Sequence, residues 1–360
     1  MTPRAAWAGG MRVAMIAPPW FPVPPTAYGG TEAVVALLAD GLVHRGVDVT
    51  LFASGDSRTR ARLEFVHATA RSVDIGQMAA ELEHVLACLG SGDEFDLIHD
   101  HSGLLALTVA ASTRTPFVHT AHGPMLGRSG VLYSSAIRFN PAASLISLTQ
   151  AQRRAAPRLP WVANCPNAIE VERFPFRAGH DGYVAFLGRM SPEKGAGDAC
   201  VIARRAGVEL RIAAKCREPA ERAYFEAHVA PHLGHGVEYL GELGHEEKGV
   251  LLRDAQALLA PIDWEEPFGL VFAEAAACGT PVVATRRGSV PEVVVDGVTG
   301  VVRETVGELP AALELVDALD PHAIRRHAEQ HFAPERMVSD YLAAYSLVLR
   351  DVDDPVALSA

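Results

Sequence analysis

Short apolar runs and stretches with apolar residues at three- and four-residue spacing alternate along this chain. Arg12-Val13-Ala14-Met15-Ile16-Ala17 is the first run and predicts a buried strand, followed by a Pro/Gly-rich loop. From Thr31 to Arg45 the apolar positions are Val34, Val35, Leu37, Leu38, Leu42 and Val43, the pattern of an amphipathic helix. Gly46 closes it, and Val47-Asp48-Val49-Thr50-Leu51-Phe52 predicts the next strand. Further strands are expected at Asp96-Leu97-Ile98, Pro116-Phe117-Val118-His119 and Ser144-Leu145-Ile146-Ser147. A second alternating series starts at Tyr183, beyond the connector Phe174-Pro175-Phe176-Arg177. Its strands are expected at Tyr183–Leu187, Glu209–Ala213, Val237–Leu240, Ala257–Ala260 and Pro281–Ala284. Strands alternating with helices imply an α/β protein whose parallel sheets are covered on both faces. Two such series joined near residue 170 imply a crevice at the carboxyl ends of their strands, where open α/β sheets bind ligands.

The stretch from Pro261 to Ala275 carries the most chemistry. The apolar run Ala257–Pro261 ends in an acidic loop, and an amphipathic segment from about Gly269 to Cys278 follows, so the pattern is strand, loop, helix. Glu266 lies in the loop and Glu274 within the helix. A helix N-terminus offers free N–H groups and a positive dipole end to a phosphate. A carboxylate accepts hydrogen bonds from adjacent sugar hydroxyls. Together these describe a nucleotide-sugar site.

Gly188-Arg189-Met190-Ser191-Pro192-Glu193-Lys194-Gly195 follows the strand at Tyr183 and precedes another helix. Arg189, by its planar fork, and Lys194, as a point charge, suit a diphosphate clamp at such a strand end. Only three of the 32 basic residues are lysines (Lys194, Lys215 and Lys248), and one of them stands in this loop.

These residues resemble those of the retaining glycosyltransferases of family 4. The resemblance runs from Phe186-Leu187-Gly188-Arg189 through Lys194-Gly195, and from Glu266-Pro267-Phe268-Gly269-Leu270 through Glu274. It continues in Cys278–Thr285 and Pro291–Gly300, and in the first half through Tyr28-Gly29-Gly30-Thr31-Glu32 and Thr120-Ala121-His122-Gly123-Pro124. The opening Pro18–Pro22 and Tyr28-Gly29-Gly30 is most similar to the branch of antibiotic-sugar transferases of the avilamycin type. The resemblance implies a GT-B fold, two Rossmann-like parallel-sheet domains facing each other across a cleft. An acceptor-side domain over 1–168 and a nucleotide-sugar domain over 169–335 are expected, with a last helix over 336–360 crossing back to the first.

The resemblance also implies roles. Glu274 would hold the ribose hydroxyls, and Glu266 the hydroxyls of the donor sugar. The Phe268, Gly269 and Leu270 amides would lie near sugar or phosphate, with Gly188 beside them. Arg189 and Lys194 would neutralise the diphosphate as charge grows on it, an electrostatic contribution to turnover as well as to binding. Gly29 and Gly30 would allow close backbone approach of phosphate or acceptor, and His122 would hydrogen-bond the donor sugar. Asn167 is similar to the start of the family's interdomain motif, although Ala168 stands where glycine is common. Lys215 follows another strand, within reach of the same cleft. The reaction implied retains anomeric configuration and needs no metal or other cofactor, the departing phosphate oxygen taking the acceptor proton. The donor expected first is UDP-glucose, by frequency within the family.

Composition narrows the partners. At 360 residues and 49% hydrophobic, the chain has the material for two cores. No run approaches the ~18 apolar residues of a membrane span, and the residues before Met11 lack the long apolar stretch of a secretory signal. The five cysteines (Cys88, Cys165, Cys200, Cys216, Cys278) form no close ligand pair and fit reduced thiols in the cytoplasm. His99-Asp100-His101 would place both histidines on one strand face with Asp100 opposite; without a second cluster it reads as a strand-end turn and not a metal site. The net charge of −11 argues against nucleic acid and against a strong hold on anionic membrane. Arg153, Arg154 and Arg158 are expected on a solvated helix face.

Three other functions compete with transfer. A glycoside hydrolase needs two carboxylates about 5–10 Å apart and has no use for a diphosphate clamp. An epimerase on the same fold would consume the nucleotide sugar without an acceptor, but no acid/base pair for it is evident. A non-catalytic nucleotide-sugar-binding protein would bind without turnover. Transfer to a small-molecule or glycoside acceptor is the reading preferred.

Overall fold

The computed structural model describes residues 10–353; the expectation of no secretory signal before Met11 falls on residues 1–9 and, like the last part of the helix expected over 336–360, lies outside the described residues. The chain forms two compact units. One comprises the described residues up to Pro25, then Gly29–Asn167, then the chain from Pro334 onward; the other comprises Thr26–Tyr28 and Ala168–Ala333.

The first unit is built on seven strands: β1 (Arg12–Ile16), β2 (Asp48–Phe52), β3 (Arg62–Glu64), β4 (Leu97–Asp100), β5 (Phe117–Thr120), β6 (Ser144–Ser147) and β7 (Trp161–Asn164). All pair in parallel, in the order β3-β2-β1-β4-β5-β6-β7. The order reverses direction at β1/β4, the usual place for ligands in such sheets. Helices on both faces explain why Val13 through Ile16 are all buried and not alternating. On one face Ala14, Ile16, Ile98, Phe117 and Leu145 pack with Leu107, Tyr133 and Ala136 from the covering helices. The last helix, Pro334–Asp353, belongs to this unit and buries Met337, Tyr341, Ala344, Tyr345 and Val348, an apolar stripe at helical spacing.

The second unit carries β8 (Tyr183–Arg189), β9 (Glu209–Lys215), β10 (Val237–Gly241), β11 (Ala257–Ala260), β12 (Val282–Thr285) and β13 (Gly300–Arg303). They are again parallel, in the order β10-β9-β8-β11-β12-β13, so direction reverses at β8/β11. Both units are therefore Rossmann-like α/β layers, as the sequence pattern predicts.

The sequence reading misses β3, β7 and β13. All three are outermost strands, and β3 and β7 contain no fully buried residue, so the apolar run that marks an inner strand is absent. A second difference concerns the helix Leu270–Cys278. It was expected to be amphipathic, yet every residue from Phe272 to Cys278 is buried. The helices His245–Asp254 and Pro321–His331 cover it on two sides, and Arg325 Nη1 donates to the Ala277 carbonyl at 2.6 Å near its C-terminus. Glu274 is its only charged residue.

Candidate functional site

In the second unit the loops after β8 and β11 leave the sheet side by side, at the point where strand order reverses. Two close backbone approaches lock them together. Gly195, at φ +79°, ends the β8 loop; a Cβ there would lie 2.3 Å from the Pro261 carbonyl oxygen. The Asp263 N–H donates to the Glu193 carbonyl at 3.0 Å. A turn after β12 holds the other side of the acidic loop. A Cβ on Gly288 would lie 2.4 Å from the Glu266 amide nitrogen, the Ser289 N–H donates to the Glu266 carbonyl (2.9 Å), and Ser289 Oγ donates to the Phe268 carbonyl (2.8 Å).

Lys194 and Glu266 meet in a hydrogen-bonded ion pair. Glu266 Oε2 also accepts from Trp264 Nε1 at 3.0 Å, and Lys194 Nζ sits 4.4 Å from the Trp264 ring centre, a cation–π contact. Arg189 Nη2 donates to Glu193 Oε1 at 2.8 Å, with both side chains about one-third exposed. Gly188 lies half-buried within β8. Phe268 turns its ring into the core, edge-on to Phe332, so its backbone alone remains for a ligand. Gly269 caps the nine-residue helix that Leu270 begins, and the first N–H groups of such a helix lack intrahelical acceptors.

Glu274 is 7% exposed, and its Oε1 accepts from Lys248 Nζ at 2.6 Å. Its Oε2 is buried with no hydrogen-bond partner. A buried acceptor left open is expensive, and it is the feature a ligand hydroxyl would relieve. The sequence reading did not single out Lys248 for this position, although its place among three lysines was a signal. Each of those lysines pairs with a buried glutamate: Lys194 with Glu266, Lys248 with Glu274, and Lys215 with Glu221 at 2.9 Å. Lys215 also pairs with Glu218, so its ammonium is committed within its own unit. The turn at Gly288 and Ser289 was likewise not foreseen, because its proximity to Glu266 is set by tertiary contacts; Trp264, two residues before Glu266, lay within local reach and was not singled out. Ser191 Oγ, between Arg189 and Lys194 in sequence, is buried and unpartnered.

In the first unit, Gly29 and Gly30 begin the helix Gly30–His44; Gly29 is buried and Gly30 exposed. The space a Gly29 side chain would fill is occupied by Pro25 and by Glu32 Oε2 from the same unit. Glu32 is buried, which pushes its carboxyl up to about 7. His122 follows β5 and is half-buried, its Nε2 lying 2.8 Å from His101 Nδ1. Burial, followed by the nearby His119, pushes His122 down to about 3. His99 and His101 share one strand face, their ring centres 4.0 Å apart, while Asp100 turns the other way to bond His119 Nδ1 at 2.6 Å. Among the described residues no group of three or more His, Cys, Asp or Glu side chains is arranged to hold a metal ion. Asn167, at the end of this unit, is buried with its side-chain oxygen unpartnered. The helix near the arginine cluster ends at Ala155, so Arg158 lies in the turn beyond it; Arg154 and Arg158 are exposed and Arg153 half-buried. Among the described residues no helix is long and apolar enough to cross a membrane.

Residues 28–173 match the family described as Glycosyltransferase Family 4, and residues 169–319 that of Glycosyl transferases group 1. The phosphatidyl-myo-inositol mannosyltransferase of Mycobacterium tuberculosis is 30% identical over 325 residues, 81% of this chain and 82% of the relative. The glycogen synthase of the same species is 30% identical over 277 residues, 68% of this chain; the chain spans 65% of that relative's length. Among solved structures, AviGT4, a glycosyltransferase involved in avilamycin A biosynthesis, is 27% identical with a TM-score of 0.69, covering 94% of this chain and 98% of its own.

Proposed function

The chain belongs to the family 4 glycosyltransferases, with the GT-B type of fold, and on that premise we propose that it transfers a hexosyl group from a nucleoside-diphosphate sugar to a hydroxyl of a small-molecule or glycoside acceptor, with retention. The observation that carries the reading is the open, buried Oε2 of Glu274, in the helix that follows the acidic loop, together with the Lys194–Glu266 pair that joins the loops after β8 and β11, where the sheet order reverses. Glu274 accepts the ribose hydroxyls, its orientation fixed by Lys248. Lys194 and Arg189 face the diphosphate with the amides of Gly269 and Leu270, and Glu266 receives the donor-sugar hydroxyls. Lys194 is already paired, so diphosphate binding exchanges one anionic partner for another and releases Glu266 towards the sugar. As the glycosidic bond breaks, charge builds on the leaving diphosphate. Fixed cations and helix N–H groups stabilise it more than they stabilise the bound donor, which lowers the barrier. The departing phosphate oxygen takes the acceptor proton, and no metal is required. Within the first unit, Gly29 and Gly30 allow close backbone approach of a ligand, and His122 hydrogen-bonds a sugar.

UDP-glucose is the first donor to test. Calorimetric titration with uridine, guanosine and adenosine diphosphates, repeated on Glu274→Ala and Lys194→Ala, tests the site. Selective binding of one nucleotide, weakened by both substitutions, supports it; no binding of any by the wild type overturns it. Donor consumption without an acceptor would instead favour an epimerase or hydrolase. With an acceptor in hand, the anomeric configuration of the product, read by proton NMR, tests retention.

A further inference from the structure

His101 is 2% exposed, and its backbone is held by a bond from its N–H to the Ile16 carbonyl at 2.9 Å. Its side chain has one hydrogen-bond partner: Nδ1 lies 2.8 Å from His122 Nε2, whereas His101 Nε2 is buried with none. Two neutral imidazoles joined in this way share one hydrogen, which permits two arrangements. If His122 donates, the proton of His101 must sit on Nε2, leaving an orphaned donor in the core. If His101 donates from Nδ1, its Nε2 is a bare acceptor and His122 carries its own proton on Nδ1. Orphaned buried N–H groups are rarer than under-satisfied acceptors, so the second arrangement is the lower in free energy.

Neutrality of the pair has independent support. Burial and the surrounding histidines hold both His101 and His122 well below the usual imidazole range. The neighbours are fixed as well: His99 Nδ1 lies 2.7 Å from Tyr345 Oη and its Nε2 2.8 Å from Thr120 Oγ1, so its ring has no open site to offer His101.

We propose that His101 is a positioning residue: by donating its Nδ1–H to His122 Nε2, it fixes His122 as the Nδ1–H tautomer and orients that N–H as the donor presented to the sugar. The tautomer assignment stands on the geometry alone; its consequence for transfer rests on the role given to His122 above. The nitrogen that meets the ligand is thereby a donor only, suited to an oxygen lone pair and unable to accept a sugar hydroxyl proton. A histidine without this partner would populate both tautomers and lose part of the orientation on which turnover depends.

Long-range proton–nitrogen correlation NMR of the full chain, labelled at histidine, reads the tautomer directly. His122, assigned by its loss in His122→Ala, is expected as the Nδ1–H form in the wild type. The amide of Asn can donate from nearly the place of His101 Nδ1, so His101→Asn should keep that form, whereas His101→Leu should lose it. In the transfer assay, His101→Leu is expected to lower kcat roughly tenfold with little change in the donor KM, the magnitude of a lost orienting contact. His101→Asn is expected to recover most of that loss. A wild-type His122 protonated on Nε2 overturns the assignment. So does a His101→Leu variant with unchanged tautomer and turnover. If the Leu variant does not fold, the wild-type and Asn spectra still decide. A His122→Ala variant with full activity would refute the sugar contact while leaving the tautomer result standing.

Discussion

Lys248 Nζ and Glu274 Oε1 lie 2.6 Å apart, and that bond leaves the second oxygen of a buried carboxylate without a partner. The lysine thereby neutralises the charge and holds the carboxylate in one rotamer, while the open oxygen keeps the unmet demand a ligand can fill. Removing either residue has separable consequences. Glu274→Gln keeps the shape and loses the charge-assisted bonds, so nucleoside-diphosphate affinity should fall roughly 10- to 100-fold, about 1.5–3 kcal/mol. Lys248→Met should instead destabilise the fold by about 3 kcal/mol, because it strands a buried carboxylate. Adding Glu274→Gln to Lys248→Met should recover much of that loss. Calorimetric unfolding of the four proteins in the cycle checks this.

Lys194→Ala and Arg189→Ala should differ in what they cost. Arg189 and its partner Glu193 are partly exposed, so losing that pair should change stability by less than about 1 kcal/mol. Lys194 is more buried and carries both Glu266 and the Trp264 contact. Its loss should lower kcat for transfer roughly 100-fold and also lower the melting temperature. Steady-state kinetics beside thermal unfolding separates the two. Equal melting losses for both variants would contradict the burial argument.

Glu32 gives a pH signature. Its carboxyl is pushed up to about 7 in the fold by burial, from an ordinary 4.5. A raised folded value means that its contribution is fully present below 4.5 and lost as pH rises towards and through 7. Glu32→Gln should therefore raise stability relative to wild type at pH 8, by up to ~3 kcal/mol, with the gap closing by pH 4.5. Melting temperatures of both proteins across that range test it; a gap independent of pH would refute it.

The buried histidines act in the opposite sense. His84 is pushed down to about 4 and His122 to about 3, in both cases chiefly by burial, and His99 and His101 fall well below 6.5. Between 6.5 and these values the unfolded chain binds more protons, so stability is present above 6.5 and lost as pH falls. Glu32 offsets part of this loss. The denaturant midpoint of Glu32→Gln should therefore shift downward further than that of wild type between pH 7 and 4.5, from a higher start, until the two converge, with His84 alone contributing about 3 kcal/mol to the loss by pH 4. Circular dichroism between pH 7 and 4 reads the shift.

Most of the inner strands can be read from the sequence because an inner parallel strand, covered on both faces, needs an unbroken apolar run. Val282–Thr285 and Ala257–Ala260 are of that kind. Trp161–Asn164 is half-buried throughout and has no such run, so its strand is invisible to the pattern. The candidate site divides in the same way. Glu266, Glu274, Arg189 and Lys194 are legible because strand, loop and helix put them at strand ends by local geometry. Their partners are not: Lys248 lies 26 residues from Glu274, and Lys194 lies 72 from Glu266. No local period encodes separations of that size.

The sequence by itself determined the α/β alternation and most of the strands, and it named the candidates for a nucleotide-sugar site, since these follow from backbone periodicity and side-chain chemistry. Tertiary structure alone decided which carboxylate oxygen stays open, which lysine serves which glutamate, that the helix carrying Glu274 is buried all round, and that His101 faces His122. Those outcomes depend on which groups lose water together, and desolvation is a property of the packed chain and not of any segment within it.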